Sequence, residues 1–312
     1  MKEAFLSMKR LTRNVLPAIA ALALLFCARG NAGEPLRFTT VREVTDRIAS
    51  ARSVTVSAYT LSPRGTMTRA LLAAAQRGAR VRVVLDGHAF GAAQHANLAT
   101  GLELRQAHVR VDYTLEPLHM KAAAIDDALY LSDRNWTSRS RAEVVLQDAI
   151  PQDKPIVLRA VEGTPGSNGH LWTRKGDALQ AEARVLQSNA SHDASMETES
   201  FGSGTKVFDA LTARRARGDR VRLIVAALEE RSRGSNAERA ALARLAQAGV
   251  EIRVGTSGEK IALDGENGWL GSANATRGLA DQIDWGMITQ GAMTATLRQK
   301  FEENWNAASS DL

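Results

Sequence analysis

A histidine, a lysine, an aspartate and an asparagine occur within twenty residues of each other, at a spacing that suits phosphodiester chemistry. The segment 117–136 reads PLHMKAAAIDDALYLSDRNW, with His119 and Lys121 two residues apart and Asp126 and Asn135 following. On an extended strand, residues i and i+2 project to the same side. We therefore expect His119 and Lys121 to enter one pocket, the imidazole as nucleophile or acid and the ammonium as a phosphate ligand. The alternative is an ordinary strand and turn with a surface histidine and lysine.

The chain contains this unit twice, which favours a chemical site over the alternative. Segments 65–85 and 204–225 each consist of a helix-period stretch, a glycine turn and a β-branched strand. The motif segment is echoed by 258–276, GEKIALDGENGWLGSANAT, where a lysine, an aspartate, a serine and an asparagine recur in the same order. A period of about 140 residues is too long for a solenoid. We predict an α/β fold of two repeated sandwich domains packed as a pseudo-dimer within one chain.

In these motifs the chain resembles the phospholipase D superfamily over roughly residues 36–307. The half-site of that family is His-x-Lys-x4-Asp followed by Gly-Ser-x-Asn, and two half-sites meet at one active site. In the first half of this chain, Ser132-Asp133-Arg134-Asn135 replaces Gly-Ser-x-Asn. The matching positions of the second half are Lys260, Asp264, Gly271, Ser272 and Asn274.

The second half-site lacks its histidine. None of the six histidines lies beyond residue 192, and Gly258 stands two residues before Lys260. The spacing from Lys260 to Asp264 is also one residue shorter than in the first half. We expect this half-site to hold phosphate but not to supply an imidazole. The candidate replacements for the missing histidine are His170, His192 and Glu199.

The resemblance implies a role for each site residue. His119 would attack phosphorus and form a phosphohistidine, and Glu143, eight residues after Asn135, is the candidate that orients its imidazole. Asp284 stands in the corresponding place of the second half. The predicted phosphate ligands are Lys121, Asn135, Lys260, Ser272 and Asn274. Asp126, although counted with the catalytic motif, is expected to brace its turn, as are Asp264 and Gly271. No metal or cofactor is implied.

The N-terminus has the features of a secretory signal peptide. Residues 1–33 contain Lys9, Arg10 and Arg13, then an apolar run, then small residues. This predicts a periplasmic or secreted protein with no transmembrane segment in the mature chain. The predicted domains are residues 34–149 and 186–312, joined by a linker at 150–185 that is rich in proline and glycine.

Charge and cysteine content narrow the functional classes. The net charge is +6, but removal of the leader, with its five basic residues and one acidic residue, leaves +2. A nearly balanced chain lacks the overall charge expected of a non-specific nuclease. A local nucleic-acid-binding patch remains an alternative, formed by Arg214, Arg215, Arg217, Arg220 and Arg222. The single cysteine, Cys27, lies in the leader, so the mature chain has no disulfide and no thiolate metal site.

Three functions fit these observations. The first is a phospholipase D-type phosphodiesterase that hydrolyses a phospholipid or a similar diester. The second is a nuclease or nucleotide phosphodiesterase of the same superfamily, which would need an arginine-lined groove leading to His119. The third is a degenerate phosphate- or lipid-binding protein. The sequence leaves the head group and the oligomeric state open.

Overall fold

The repeat seen in the sequence corresponds to two seven-stranded sheets of one design. The computed structural model describes residues 35–136, 144–226 and 235–309. In the first sheet the strands are β1 (Leu36–Thr39), β2 (Ser53–Ala58), β3 (Arg80–Leu85), β4 (Arg110–Tyr113), β5 (Lys121–Ile125), β6 (Ala128–Ser132) and β7 (Val145–Asp148). In the second they are β8 (Leu171–Arg174), β9 (Asp193–Thr198), β10 (Arg220–Ala226), β11 (Glu251–Gly255), β12 (Ile261–Asp264), β13 (Asn267–Gly271) and β14 (Ile283–Gln290).

Helices connect and cover these strands. They are α1 (Val41–Ser50), α2 (Thr66–Gln76), α3 (Gly91–Gln106), α4 (Asp153–Val161), α5 (Lys175–Leu186), α6 (Lys206–Ala216), α7 (Ser235–Gln247) and α8 (Ala292–Ala307). A representative case is α2, which buries Met67, Leu71 and Ala74 along one face. Gly78, with φ of 87°, then reverses the chain into β3, since glycine adopts this conformation without a steric penalty.

Both sheets have the same strand order. The first runs β1-β7-β6-β5-β2-β3-β4 and the second β8-β14-β13-β12-β9-β10-β11. In each sheet one trio of strands is parallel and joined by helices, β2-β3-β4 and β9-β10-β11, and the remaining strand pairs are antiparallel. The predicted fold class, two repeated α/β units in one chain, is confirmed.

The two sheets share an apolar core. Each half has its own buried cluster between sheet and helices, and a third cluster combines residues of both halves, among them Met120, Leu131, Ile261 and Trp285. Burial of this shared surface favours face-to-face packing because it removes apolar area from water. The core therefore joins the two halves along the strands that carry the motifs.

The segment 150–185, predicted as a linker, is instead largely built into the fold. It contains α4, the edge strand β8 and α5. Pro155 lies in the first turn of α4, where a missing N–H costs no helical hydrogen bond. Only the stretch from Glu162 to His170, with its three glycines, connects these elements as a loop. Proline and glycine thus mark a helix start and a short loop rather than an extended linker.

Two predicted features fall outside the described residues. They are the signal peptide at 1–33 and Glu143. Within the ranges that are described, no helix is both long enough and apolar enough to cross a bilayer.

Candidate active site

His119 is fixed by backbone contacts from the other half of the chain. It precedes β5, and its N–H donates to Ile283 O at 2.8 Å, while Ile283 N–H donates to Pro117 O at 2.8 Å. Its neighbours Leu118 and Met120 are buried in the shared core. Because side chains alternate along extended backbone, His119 projects to the opposite side, where 14% of its side chain is exposed. The imidazole is thus held firmly and can still be reached.

The imidazole is oriented by a carboxylate of the second half, Asp284. His119 Nδ1 lies 3.1 Å from Asp284 Oδ1, and Asp284 is fully buried. Ser272 Oγ donates to the same oxygen at 2.6 Å and accepts from Trp285 N–H at 3.0 Å. Since a carboxylate only accepts hydrogen bonds, Nδ1 carries the proton. Nε2 therefore keeps a lone pair for attack on an electrophile.

The surroundings of His119 favour the neutral ring. Burial lowers the pKa of His119, and the positive charge of Lys121 lowers it further. The Tyr59 ring packs edge-on against the imidazole, with 5.5 Å between ring centroids. The pKa of Asp284 stays below its ordinary value although burial opposes this, because His119 and Lys121 stabilise its charge. At neutral pH the pair is a neutral imidazole and an anionic carboxylate.

Two buried lysines lie beside the imidazole, one from each half. Lys121 is buried, and burial together with the charge of Lys260 lowers its pKa to about 7. Lys260 donates to Glu199 Oε2 at 3.1 Å and to Asp133 O at 3.3 Å. The charge of Lys260 holds the pKa of Glu199 far below its usual range. Buried cations that repel one another form a site in which an anion is stabilised.

The two motif asparagines occupy equivalent, half-buried positions after β6 and β13. Asn274 Oδ1 has no hydrogen-bond partner among the described residues. Thr276 N–H donates to the Asn274 carbonyl at 2.7 Å, which fixes the turn. Asn135 lies two residues after Asp133, as Asn274 lies two after Ser272. The structure thus places Asn135 and Asn274 as corresponding residues of the two half-sites.

The position of Ser272 does not suit its predicted role as a phosphate ligand. Its hydroxyl is fully buried and is used by Asp284 and by Trp285 N–H, so it has no face toward a bound phosphate. Asp133 takes the corresponding place in the first half, because Val144 N–H donates to Asp133 Oδ1 at 3.2 Å as Trp285 N–H does to Ser272. The residue that replaces the motif serine is therefore Asp133, whose pKa is raised to about 7 by burial.

The motif aspartate of the first half braces a turn at the far end of β5 from Lys121. Asp126 Oδ1 accepts from Arg52 N–H at 3.0 Å and from Ser53 N–H at 2.9 Å. Its φ is 46°, in the left-handed region that a tight turn requires. Asp126 therefore braces its turn away from the lysine, although it belongs to the motif.

Asp264 has a similar structural function by a different geometry. It pairs with Ala194 inside β12, and the left-handed turn position passes to Gly265, with φ of 57°. The motif aspartate thus stands one residue earlier relative to the turn, which explains why Lys260 and Asp264 are one residue closer in sequence than Lys121 and Asp126. The carboxylate is fully buried and accepts from Ser191 N–H at 3.1 Å and from Arg214 Nη1 at 2.8 Å.

Gly271 allows close packing behind the site. A Cβ at this position would lie 2.5 Å from Trp285 O and 2.6 Å from the Trp269 ring. Contacts this short exclude any side chain, so the support role predicted for Gly271 agrees with the packing around it.

The residues considered as substitutes for the missing histidine have other partners. His170 is 2.6 Å from Asp153, and His192 is 3.0 Å from Asp219 with its side chain 99% exposed. Glu199 does lie in the site, but its ion pair with Lys260 keeps it anionic. None of the three is a proton donor placed beside His119.

The sequence alone did not identify the acid that contacts His119. The role was assigned to Glu143, which lies outside the described residues, whereas the structure places Asp284 at the imidazole. The available signal was the position of Asp284, ten residues after Asn274. Within the described part of the chain, no group of three or more histidine, cysteine or acidic side chains is placed to hold a metal ion.

Comparisons with known proteins agree with this architecture. Residues 44–150 and 185–305 match the family model described as cardiolipin synthase, PLD-like domain. No curated protein was found to match the chain. Phosphatidylserine synthase from Haemophilus influenzae is similar with a TM-score of 0.66 and 12% identity, over 88% of this chain and 85% of that one. Polyphosphate kinase from Porphyromonas gingivalis is similar with a TM-score of 0.60 and 17% identity, over 86% of this chain. This chain spans about half of the kinase, since 49% of the kinase is covered.

Proposed function

This chain belongs to the phospholipase D superfamily, and we propose that it hydrolyses a phosphodiester through a phosphohistidine intermediate on His119. One observation carries the proposal: a neutral imidazole, oriented by Asp284, lies beside two buried lysines of opposite halves. A phosphodiester resists attack because its anionic oxygens repel nucleophiles. Lys121 and Lys260 supply the positive charge that removes this barrier.

The reaction would run in two displacements. His119 Nε2 attacks phosphorus, the bond to the leaving oxygen breaks, and the imidazole is left phosphorylated. Asp284 stabilises the positive charge that the ring gains in this step. Water then attacks phosphorus, the P–N bond breaks and His119 regains its lone pair, while the proton that water loses passes through solvent to the departed oxygen. The amide groups of Asn135 and Asn274 are the proposed additional ligands of the phosphoryl oxygens.

A lipid-like substrate is favoured over nucleic acid because the predicted arginine patch is committed to internal contacts. Arg214 is fully buried against Asp264, and Arg222 pairs with Glu302 while it packs on Phe301. The other three contact Asp219 or Glu251. Phosphates need cations that are free to bind them. These arginines are therefore a poor nucleic-acid surface.

Exposed apolar side chains follow the strands that lead into the site. Phe90 is 78% exposed after β3, Leu115 is 90% exposed before His119, and Leu279 is 60% exposed after Asn274. The loops are joined, since His88 Nε2 is 2.6 Å from Leu115 O and Ile283 N–H bonds Pro117 O. Exposed apolar groups that border a site mark a surface for an apolar partner. We propose a phospholipid or a similar lipid diester as the substrate.

The proposed location is the periplasm or the exterior of the cell, because the leader has the composition of a signal peptide. A second candidate function, phosphate or lipid binding without turnover, is favoured by Gly258, which leaves the second half-site without an imidazole.

The decisive experiment is turnover of a panel of diesters in the presence of EDTA. The panel contains bis-p-nitrophenyl phosphate, phosphatidylcholine, phosphatidylethanolamine and single-stranded DNA. His119→Ala is the test variant, and His95→Ala, an exposed histidine on α3, is the matched control. We expect turnover by the wild type and the control and none by His119→Ala. Equal inactivity of all three proteins would support the binding function, and DNA as the best substrate would support a nuclease.

A further inference from the structure

The guanidinium of Arg134 borders the space of the missing second histidine. In the repeat, Gly258 corresponds to His119. A Cβ built on Gly258 would lie 3.4 Å from Arg134 Nη2 and 3.3 Å from the Cα of Glu199. A side chain at position 258 would therefore contact the guanidinium, as well as Ala226, whose Cβ would lie 3.1 Å from the added atom. The first half thus supplies both the imidazole and the group opposite it.

Two donors of the Arg134 side chain have no partner among the described residues. Its Nε and Nη2 are buried and make no hydrogen bond with any described residue. Its backbone is fixed, because Arg134 N–H donates to Ser132 Oγ at 3.2 Å. Leaving charged donors buried and unpaired costs free energy, which a bound anion would recover. In the second half the corresponding residue is Ala273, so the arginine is not part of the repeated motif.

The chemistry of a guanidinium differs from that of the imidazole it replaces. A guanidinium does not give up its proton in a protein, so it cannot deliver one to a leaving oxygen. A guanidinium in this place therefore suits a departing group that keeps its negative charge. An alkoxide does this poorly, whereas a phosphate does it well and matches the planar donors of arginine.

We propose that Arg134 replaces the second histidine as an anion ligand for the departing group, and that the scissile bond is a phosphoanhydride. This rests on the proposed function, with His119 as the nucleophile, and it narrows the lipid diester to one whose departing group is itself a phosphate. His119 Nε2 forms the P–N bond as the bond from phosphorus to the bridging oxygen breaks. The electron pair stays on that oxygen, which leaves as part of a phosphate bound by Arg134. Water then displaces His119 and releases a proton to solvent, so that two phosphate monoesters result.

The first test compares leaving groups. Diphenyl pyrophosphate, with one phenyl on each phosphorus, is compared with dibutyl phosphate as the alkyl diester. We expect the wild type to cleave the pyrophosphate at least about a hundredfold faster, and Arg134→Gln to lose roughly a hundred- to a thousandfold on it. Added guanidinium ion should restore part of the activity of Arg134→Ala. Arg42→Gln is the matched control, because its side chain is 91% exposed. Equal rates on both substrates, or an unaffected Arg134→Gln, would overturn the proposal.

A binding measurement separates this inference from the proposed function. Calorimetry with inorganic pyrophosphate requires no turnover, so it is informative even for an inactive protein. We expect Arg134→Gln to bind pyrophosphate about ten- to a hundredfold more weakly and Arg134→Lys to keep part of the affinity. Unchanged affinity in a folded Arg134→Gln would refute the role of Arg134. Loss of turnover in His119→Ala with pyrophosphate binding intact would support the nucleophile and the arginine site separately.

Discussion

The His119 imidazole and the Asp284 carboxylate lie 3.1 Å apart and come from opposite halves of the chain. The backbone reinforces this pairing, because His119 N–H bonds the residue just before Asp284, Ile283. The first half supplies the imidazole of the candidate site, and the second half supplies the acid that orients it. The second half, although its motif lacks a histidine, thus supplies the carboxylate that orients the histidine of the first.

Asp284→Asn should impair chemistry more than binding. The amide can donate to Nδ1, which would place the proton on Nε2 and remove the nucleophilic lone pair. We expect kcat to fall by about a thousand- to ten-thousandfold, as the loss of an orienting carboxylate does elsewhere, with a much smaller change in KM. Ser272→Ala, which removes one hydrogen bond to the same carboxylate, should cost about tenfold. Steady-state kinetics checks both, and equal losses in the two variants would contradict the orienting role.

The pH dependence of kcat/KM should be bell-shaped. Activity needs neutral His119, so it falls below the His119 pKa, which burial places below its ordinary value. Activity also needs protonated Lys121, so it falls above about pH 7. Lys121→Arg should remove the basic limb and keep the acid limb, because arginine stays charged. If the basic limb instead disappears in Asp133→Asn, that carboxyl would be the titrating group.

Asp264→Asn should destabilise the fold without direct damage to the chemistry. Asp264 and Arg214 form a fully buried ion pair at 2.8 Å, and removal of the Asp264 charge leaves buried Arg214 with Asp219 as its remaining acidic partner among the described residues. We expect a loss of about 3–5 kcal/mol in the free energy of unfolding. Asp46→Asn, which breaks a solvent-exposed pair with Arg42, should cost less than about 1 kcal/mol. Urea titration measures both, and a similar small loss in the two variants would refute the structural role.

The exposed apolar side chains should affect turnover only when the substrate is a lipid in vesicles. Substituting serine at Phe90, Leu115 and Leu279 should lower turnover of phospholipid vesicles at least about tenfold, because burial of these side chains is worth roughly 1.5–3 kcal/mol each. Turnover of soluble bis-p-nitrophenyl phosphate should be unchanged. Serine at Leu98 and Leu102, which are exposed on α3, is the matched control. Equal loss on both substrates would indicate a structural effect instead.

The fold was largely predictable from the sequence because it is repeated. The segments 65–85 and 204–225 share one pattern of helix, glycine turn and strand. Because this pattern occurs twice, it predicts two domains with the same fold. The linker was mispredicted because Pro155 and the glycines of 163–169 indicate turns equally at a helix start and in a loop. The edge pairing of β8 with β14 is a long-range contact that local composition does not encode.

The site was predictable where residues are close in sequence. His119, Lys121, Lys260 and Asn274 were identified from motif spacing. The partnership of His119 with Asp284 was not, because it depends on how the two sheets pack. Arg134 was missed for the same reason, since its proximity to Gly258 arises only when the two halves meet.

The most direct test of the central claim is detection of phosphate on His119. The protein, in excess over bis-p-nitrophenyl phosphate, is quenched in alkali within one turnover, and intact mass and peptide mapping follow. We predict a nitrophenylphosphoryl adduct on the peptide that contains His119, stable in alkali, lost in acid and absent from His119→Ala. Turnover without any adduct, or an adduct that persists in His119→Ala, would show that His119 is not the nucleophile.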